Sequence, residues 1–420
     1  MFLCTMAAIL YLDRTCMSQA VEPIEREFGI TRQWHMSIAL IAFTVSYGLF
    51  EIPTGRLGDR FGARRTLTRV VAGWSIFTML TAVSWGLSSL IVMRFLFGAA
   101  EAGAFPNAAR IIARWFPRSE RGRVQGLMLT CALAGSSLSP GLASLLIHWI
   151  GWRAVFIAFG SVGIIWAGLF VRWFRDNPAE HPGVNEAERA TIGTGGPPPE
   201  HRPIPWREVF RNRSIWLLAI IVSCSSFVSY VYLSWYSKYL QAAREVDQIT
   251  AGGLASLVLA GGAVGTLGGG FIVDHLSRRR AEPARARQRV CSIAMAAAGL
   301  LLVLAVRAES PLLSASLTCL SLAAMMSFQS TWWSSAIEVS GGHVGSLFGL
   351  MNGVGAIGAI SSQFFFGAFA DWRKDLGYLG RDQWDPAYYL CVAVLFIASL
   401  CWLGVNVNRK IGGESEKQTS

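Results

Sequence analysis

A chain of 420 residues that is 53% hydrophobic and only 15% charged, with a mean hydropathy of +0.42, lies outside the soluble range, where about a quarter of residues carry charge. Its charges are clumped between apolar stretches, each near the roughly 20 residues that carry a helix across a bilayer. The net charge of +11 therefore reads as membrane topology, and no nucleic-acid partner is expected.

The predicted spans, in chain order, cover 1–21, 36–54, 67–87, 88–109, 122–147 and 151–173, then 214–240, 249–273, 289–306, 311–336, 345–368 and 385–407. They are continuous and rich in Ala, Leu and Gly. A transmembrane barrel would show short alternating segments instead, so the fold class is all-α: twelve transmembrane helices in two pseudo-symmetric six-helix bundles. The expected domains are an N-terminal bundle over 1–175, a cytoplasmic linker over 176–213, a C-terminal bundle over 214–407 and a cytoplasmic tail over 408–420. The linker is polar and holds Gly193-Thr-Gly-Gly-Pro-Pro-Pro-Glu200, a composition of loops and short surface helices. With both termini inside, about 26 Lys and Arg fall on the cytoplasmic face and about 9 outside, the bias of the positive-inside rule. The first run has no basic leader or small-residue cleavage site, so no cleavable signal peptide is expected.

The first span holds Asp13 and Arg14, and the fourth holds Arg94 and Glu101. An ionisable residue at such depth costs at least ~2.5 kcal/mol on insertion scales and is normally functional or paired. Arg94 and Glu101 are seven residues apart, two helical turns, and so share a face. Asp13 and Arg14 are adjacent and cannot both face lipid cheaply, so both are placed on a wet cavity. A carboxyl group there can take up a proton, and an arginine can hold a carboxylate by a two-pronged bond. Two acids and two bases are the parts of proton-coupled anion transport; the blander reading is a pair of internal salt bridges that lock helices together. Glu51, near the cytoplasmic end of the second span, reads either as a cavity group or as an interfacial charge contacting the loop that follows, and the second reading is preferred.

The two halves carry a weak repeat. Gly55-Arg-Leu-Gly-Asp59-Arg-Phe-Gly-Ala-Arg64-Arg65 follows the second span, and Gly270-Phe-Ile-Val-Asp274-His-Leu-Ser-Arg-Arg279-Arg280 follows the eighth. In each, Asp lies four residues after Gly, and an Arg pair nine and ten residues after it. Breaking contacts made by Asp59, with a neighbouring helix N-terminus or with Arg64, would let the halves rock. Gly55, Asp59, Arg64, Arg65, Asp274 and Arg279 are accordingly the candidate gating residues. Two related halves around a midplane site are a transporter architecture.

The segment at 55–65 resembles the signature loop of the major facilitator superfamily. More narrowly, the chain resembles that superfamily's anion:cation symporter family, which includes bacterial D-galactonate, hexuronate and glucarate transporters and the animal vesicular glutamate transporters. The residues that carry the resemblance include Tyr11-Leu-Asp13-Arg14, Arg94-Phe-Leu-Phe-Gly-Ala-Ala-Glu101-Ala-Gly-Ala-Phe-Pro106, Arg114-Trp-Phe-Pro117, Gly151-Trp-Arg153, Asp176-Asn-Pro-Ala-Glu-His-Pro182 and Gly349-Leu-Met-Asn352-Gly-Val-Gly355. The resemblance implies that Asp13 and Glu101 handle protons, that Arg14 binds substrate, and that Arg94 couples to Glu101 and to the anion. It also implies substrate contacts from Tyr11, Tyr47, Thr331, Trp332 and Asn352, although Trp332 also reads as an ordinary packed aromatic. Glu51, Thr130 and Ser237 depart from the family pattern.

The expectation is thus a monomeric inner-membrane symporter whose partners are a small organic anion, protons and the bilayer. Exchange of anions without protons and a non-transporting metabolite sensor are the competing readings. No cofactor and no metal are expected, and no enzyme activity: there is no nucleophile–His pair or phosphate loop. The eight cysteines form no C-x-x-C pair and read as small apolar residues.

Overall fold

Inside a bilayer no water satisfies backbone N–H and C=O groups, so apolar segments close their own hydrogen bonds as helices. A computed structural model describes residues 1–117, 119–186, 205–277, 282–407 and 411, and among them every regular element is a helix. The chain divides into two compact units, Met1–Pro199 with Gln248–Gly253, and Glu200–Asp247 with Leu254–Ser420.

The first unit is built from α1 (Phe2–Phe28), α2 (Gln33–Phe61), α3 (Ala63–Thr81), α4 (Leu87–Glu101), α5 (Ala104–Trp115) and α6 (Arg121–Trp173). The 53 residues of α6 are two passes, because Gly151 interrupts the helix with φ 78° and ψ 157°, a conformation essentially confined to glycine. Helix α1 packs along α6, α2 along α4, and α3 along both α4 and α6. Their shared core includes Leu67, Val71, Trp74, Phe97, Ala104 and Ala108.

The rest of the chain gives a short α7 (Trp206–Arg211), then α8 (Arg213–Ser234), α9 (Tyr236–Arg244), α10 (Gln248–Ser277), α11 (Pro283–Arg307), α12 (Pro311–Met326), α13 (Gln329–Ser340), α14 (Val344–Asp375) and α15 (Gly380–Gly404). Here α14 packs on α8, and α11 packs on α12 and α15.

Among the described residues, eight helical segments are long and apolar enough to cross a membrane, one of them being the double pass of α6. Helices α1, α2 and α3 have 27, 29 and 19 residues but carry charges that dilute their apolar character. With them, every one of the twelve predicted spans corresponds to a helix or a pair of helices. The pairs are a departure from the continuous spans expected. The fourth span breaks at Ala102–Gly103, the seventh at Trp235, and the tenth at Ser327–Phe328. At the second break the fully buried Trp235 turns its indole N–H to the carbonyl of Gln363, 3.1 Å away, while its backbone keeps the bonds to Val231 and Tyr239.

One polar cluster ties the first unit together beyond the predicted first span. Arg153, just after the Gly151 break, donates to Glu27 Oε1 from Nη2 (2.6 Å) and Nε (3.1 Å), and to the carbonyls of Ser84 (2.9 Å) and Ala82. Trp152 donates to the other Glu27 oxygen at 2.8 Å. The end of α1, the end of α3 and the restart of α6 are thereby joined. The Arg153 hydrogen bonds hold the Glu27 carboxyl below its ordinary range, helped by Trp152. A carboxylate with a lowered folded-state pKa contributes stability above its unfolded pKa and loses it as pH falls through the folded value. Glu27→Gln is therefore expected to lower the melting temperature at neutral pH, and the gap to wild type should close below about pH 4. Thermal unfolding of both proteins across that range checks this.

Candidate functional site

The four intramembrane charges converge in the first unit. Successive residues on a helix point about 100° apart, so adjacent Asp13 and Arg14 serve different neighbours. Asp13, 1% exposed, turns toward α3, where Trp74 Nε1 donates to its Oδ2 at 3.1 Å. Its Oδ1 has no hydrogen-bond partner among the described residues. Arg14 turns toward α4 and donates from Nε to Glu101 Oε1 at 3.0 Å, with Nη2 bonded to the same oxygen. Glu101 is fully buried, and its Oε2 has no hydrogen-bond partner among the described residues.

Aromatic rings complete the arrangement. The Arg14 guanidinium carbon lies 5.1 Å from the ring centre of Tyr11, 5.0 Å from Phe43 and 4.9 Å from Tyr47. Tyr11 precedes Arg14 by three residues on α1, and Phe43 and Tyr47 are four apart on α2, so each pair shares a face. Arg94 is 3% exposed and lies 4.9 Å from both Phe43 and Phe97. Its Nε has no hydrogen-bond partner among the described residues. Phe43 is thus shared by two guanidinium groups, each held by the negative face of an aromatic ring. The ion pair of Glu101 is with Arg14, 87 residues away in sequence, and Arg94, which spacing places on the same face as Glu101, acts on it electrostatically. Phe43, Phe97 and Trp74 were not singled out by sequence. The Phe43–Tyr47 spacing on one helical face was the signal available for the first; nothing marks Trp74.

Close approach of α2 and α4 depends on Gly98, where a Cβ would fall 2.5 Å from the Phe43 carbonyl oxygen. On the far side of α1, Ser139 of α6 donates to the Leu12 carbonyl at 2.9 Å.

The other candidates lie elsewhere. Thr331 is buried on α13, and Trp332 beside it is 1% exposed with its indole N–H donated to the Leu218 carbonyl at 2.9 Å. Asn352 on α14 is exposed. All three belong to the second unit. Of the gating candidates, Arg64 donates from Nε to the Val171 carbonyl at 3.1 Å, and its backbone N–H donates to Asp176 Oδ1 at 2.8 Å. The carboxylate at the start of α3 is therefore that of Asp176, which fits the positive end of a helix dipole. Gly55 is half-buried, and Arg65 and Asp274 are exposed. The Asp59 side chain and the whole of Arg279 lie outside the described residues.

Comparison with known proteins adds an independent line. The family description Major Facilitator Superfamily matches residues 3–363. The chain is similar to a probable sulfoacetate transporter of Cupriavidus necator, with 28% identity over 99% of this chain and 95% of that protein. It is also similar to a probable L-galactonate transporter of Escherichia coli, with 30% identity over 69% of this chain and 63% of that protein. Among solved structures, a bacterial homologue of the human lysosomal transporter Spinster superposes with a TM-score of 0.78 at 16% identity, over 96% of this chain and 95% of that one. At that identity the likeness concerns the fold.

The buried ion pair makes a stability prediction. Removing one member leaves the other charged and unanswered in an apolar core, which costs about 3–5 kcal/mol. Arg14→Gln should therefore be strongly destabilised, and Arg14→Gln with Glu101→Gln should recover most of the loss. Unfolding midpoints of the two single variants and the double variant measure this coupling.

Proposed function

Because the chain belongs to the Major Facilitator Superfamily and is a transporter of that type with anion transporters among its relatives, we propose that it carries a small organic anion inward together with protons, by alternating access. The observation that carries the proposal is the buried charge cluster, in which Asp13, Arg94 and Glu101 lie in the interior of the first unit and Arg14 reaches Glu101 from another helix. Charges held at that depth are normally functional.

In this reading Asp13 and Glu101 are the proton-handling acids. Protonation of Glu101 removes the negative charge that answers Arg14. A guanidinium in a cage of three rings then has a planar edge to offer a substrate carboxylate. Anion binding and proton binding become linked, since each anion replaces a charge that a proton has neutralised. Arg94 supplies the second positive charge. Tyr11 and Tyr47 flank Arg14 and offer hydroxyl groups; Thr331, Trp332 and Asn352 of the second unit are proposed to add contacts. The relatives' cargoes, sulfoacetate and L-galactonate by their names, are both small carboxylates. The substrate class proposed here is a hydroxylated carboxylate, with a hexonate or hexuronate as the lead. The residues Gly55, Asp59, Arg64, Arg65, Asp274 and Arg279 are proposed to gate the cycle. The basic bias of the loops supports both termini and the 176–213 segment in the cytoplasm; the protein is proposed to be a monomer in an inner membrane.

Three outcomes test the reading. In proteoliposomes, Asp13→Asn and Glu101→Gln should abolish gradient-driven accumulation of a radiolabelled sugar acid, while counterflow exchange survives in at least one of them; full accumulation in both removes these acids from coupling. Affinity for the anion should strengthen as pH falls, Arg14→Lys should impair it because an ammonium lacks the planar fork, and the neutral parent sugar should bind poorly. A structural lock predicts the reverse: tolerance of Lys, and affinity independent of pH. For topology, Glu180→Cys in a cysteine-depleted background should react with an impermeant reagent only after spheroplasts are permeabilised.

A further inference from the structure

We propose that Trp74 is a positioning residue for Asp13: its indole N–H holds one carboxylate oxygen and leaves the other, Oδ1, as the atom that takes the proton. The inference rests on the reading of Asp13 as a coupling acid and names the group that regulates it.

The geometry is restrictive. Trp74 is fully buried on α3 within the apolar core of the first unit, and Nε1 lies 3.1 Å from Asp13 Oδ2. Oδ1 has no partner among the described residues, so Trp74 is the only hydrogen-bond donor to Asp13 there. Gly163 of α6 faces the same edge of the ring, and the absence of a side chain there leaves room for the indole.

Chemistry then assigns the roles. An indole N–H is a donor only and cannot accept a proton. The bond to Oδ2 therefore persists whether Asp13 is ionised or carries its proton on Oδ1. It is worth more to the ionised form, because hydrogen bonds to charged groups are the stronger ones. Trp74 thus fixes the orientation of the carboxyl group and favours its ionised form, against burial and the charge of Glu101. The other groups that face Asp13 act around this bond. Glu101 of α4 opposes a second negative charge, and Cys16, three residues on along α1, faces both Asp13 and Arg94. Adjacent Arg14 spends its side chain on Glu101. Helix α6 approaches with Ser139, whose hydroxyl is used by the Leu12 carbonyl.

The test is a pH titration by infrared difference spectroscopy of the purified full chain in lipid nanodiscs, with no substrate added. The Asp13 carboxyl band is identified by its loss in Asp13→Asn. Trp74→Phe keeps an aromatic ring and removes the N–H; the titration midpoint of that band should move up by about one pH unit, the scale of one charged hydrogen bond. A midpoint that stays in place while the melting temperature falls assigns Trp74 a purely structural role and overturns the proposal. Should Trp74→Phe fail to fold, the wild-type band alone decides. A protonated carboxyl whose carbonyl accepts one hydrogen bond absorbs at lower frequency than a free one, and a free-carboxyl frequency overturns the proposal. The wider reading fails separately: Asp13→Asn would then accumulate substrate normally, whatever the infrared midpoint does.

Discussion

The ion pair between Arg14 and Glu101 is the interaction on which the rest of the site depends. It joins helices that are 87 residues apart in sequence and takes two full charges out of water. Such a pair is seldom a gain in stability over well-packed apolar residues. Its energetic meaning lies in its asymmetry: intact it is tolerable, and with one member neutralised the other needs a new partner. A proton on Glu101 produces that situation without any substitution. The same argument applies to Asp13, whose only hydrogen-bond donor among the described residues is neutral. Glu51 of α2 also acts on Arg14, so the cluster holds three acids and two bases, and each proton taken up makes it less negative and more receptive to an anion.

Packing converts that charge balance into geometry. Gly98 lets α2 approach α4, which brings Phe43 within 5.0 Å of the Arg14 guanidinium and 4.9 Å of that of Arg94. One ring in contact with two cations lends each some electrostatic answer. The break after Glu101 has a related effect. Helix α4 ends at that residue, so the acid sits at a helix terminus, where backbone bonds are already incomplete. Small rearrangements of partners are easier there than in mid-helix.

Much of this was legible in the sequence for a simple reason. A charge within an apolar span is conspicuous, and Asp13, Arg14, Arg94 and Glu101 stood out on that ground before any geometry was known. The twelve spans were legible for the same reason, since length and apolarity together define a crossing. Which charge answers which was not. A seven-residue spacing says that Arg94 and Glu101 share a face, but partners from another helix depend on how helices pack. Trp74 was invisible because a tryptophan within an apolar span looks the same whether its N–H meets a carboxylate, as here, or a backbone carbonyl, as at Trp332. The breaks at Ala102–Gly103, Trp235 and Ser327–Phe328 leave no interruption in the apolar pattern.

The central claim is that an arriving anion and an arriving proton share one charge cluster, and proton exchange with the medium measures it most directly. When a sugar acid that the transporter binds is added to the purified protein in weakly buffered solution near neutral pH, binding should draw protons from the medium. The uptake should diminish in Glu101→Gln, in which the acid that releases Arg14 no longer titrates. Anion binding with no proton uptake by the wild-type protein would contradict the account.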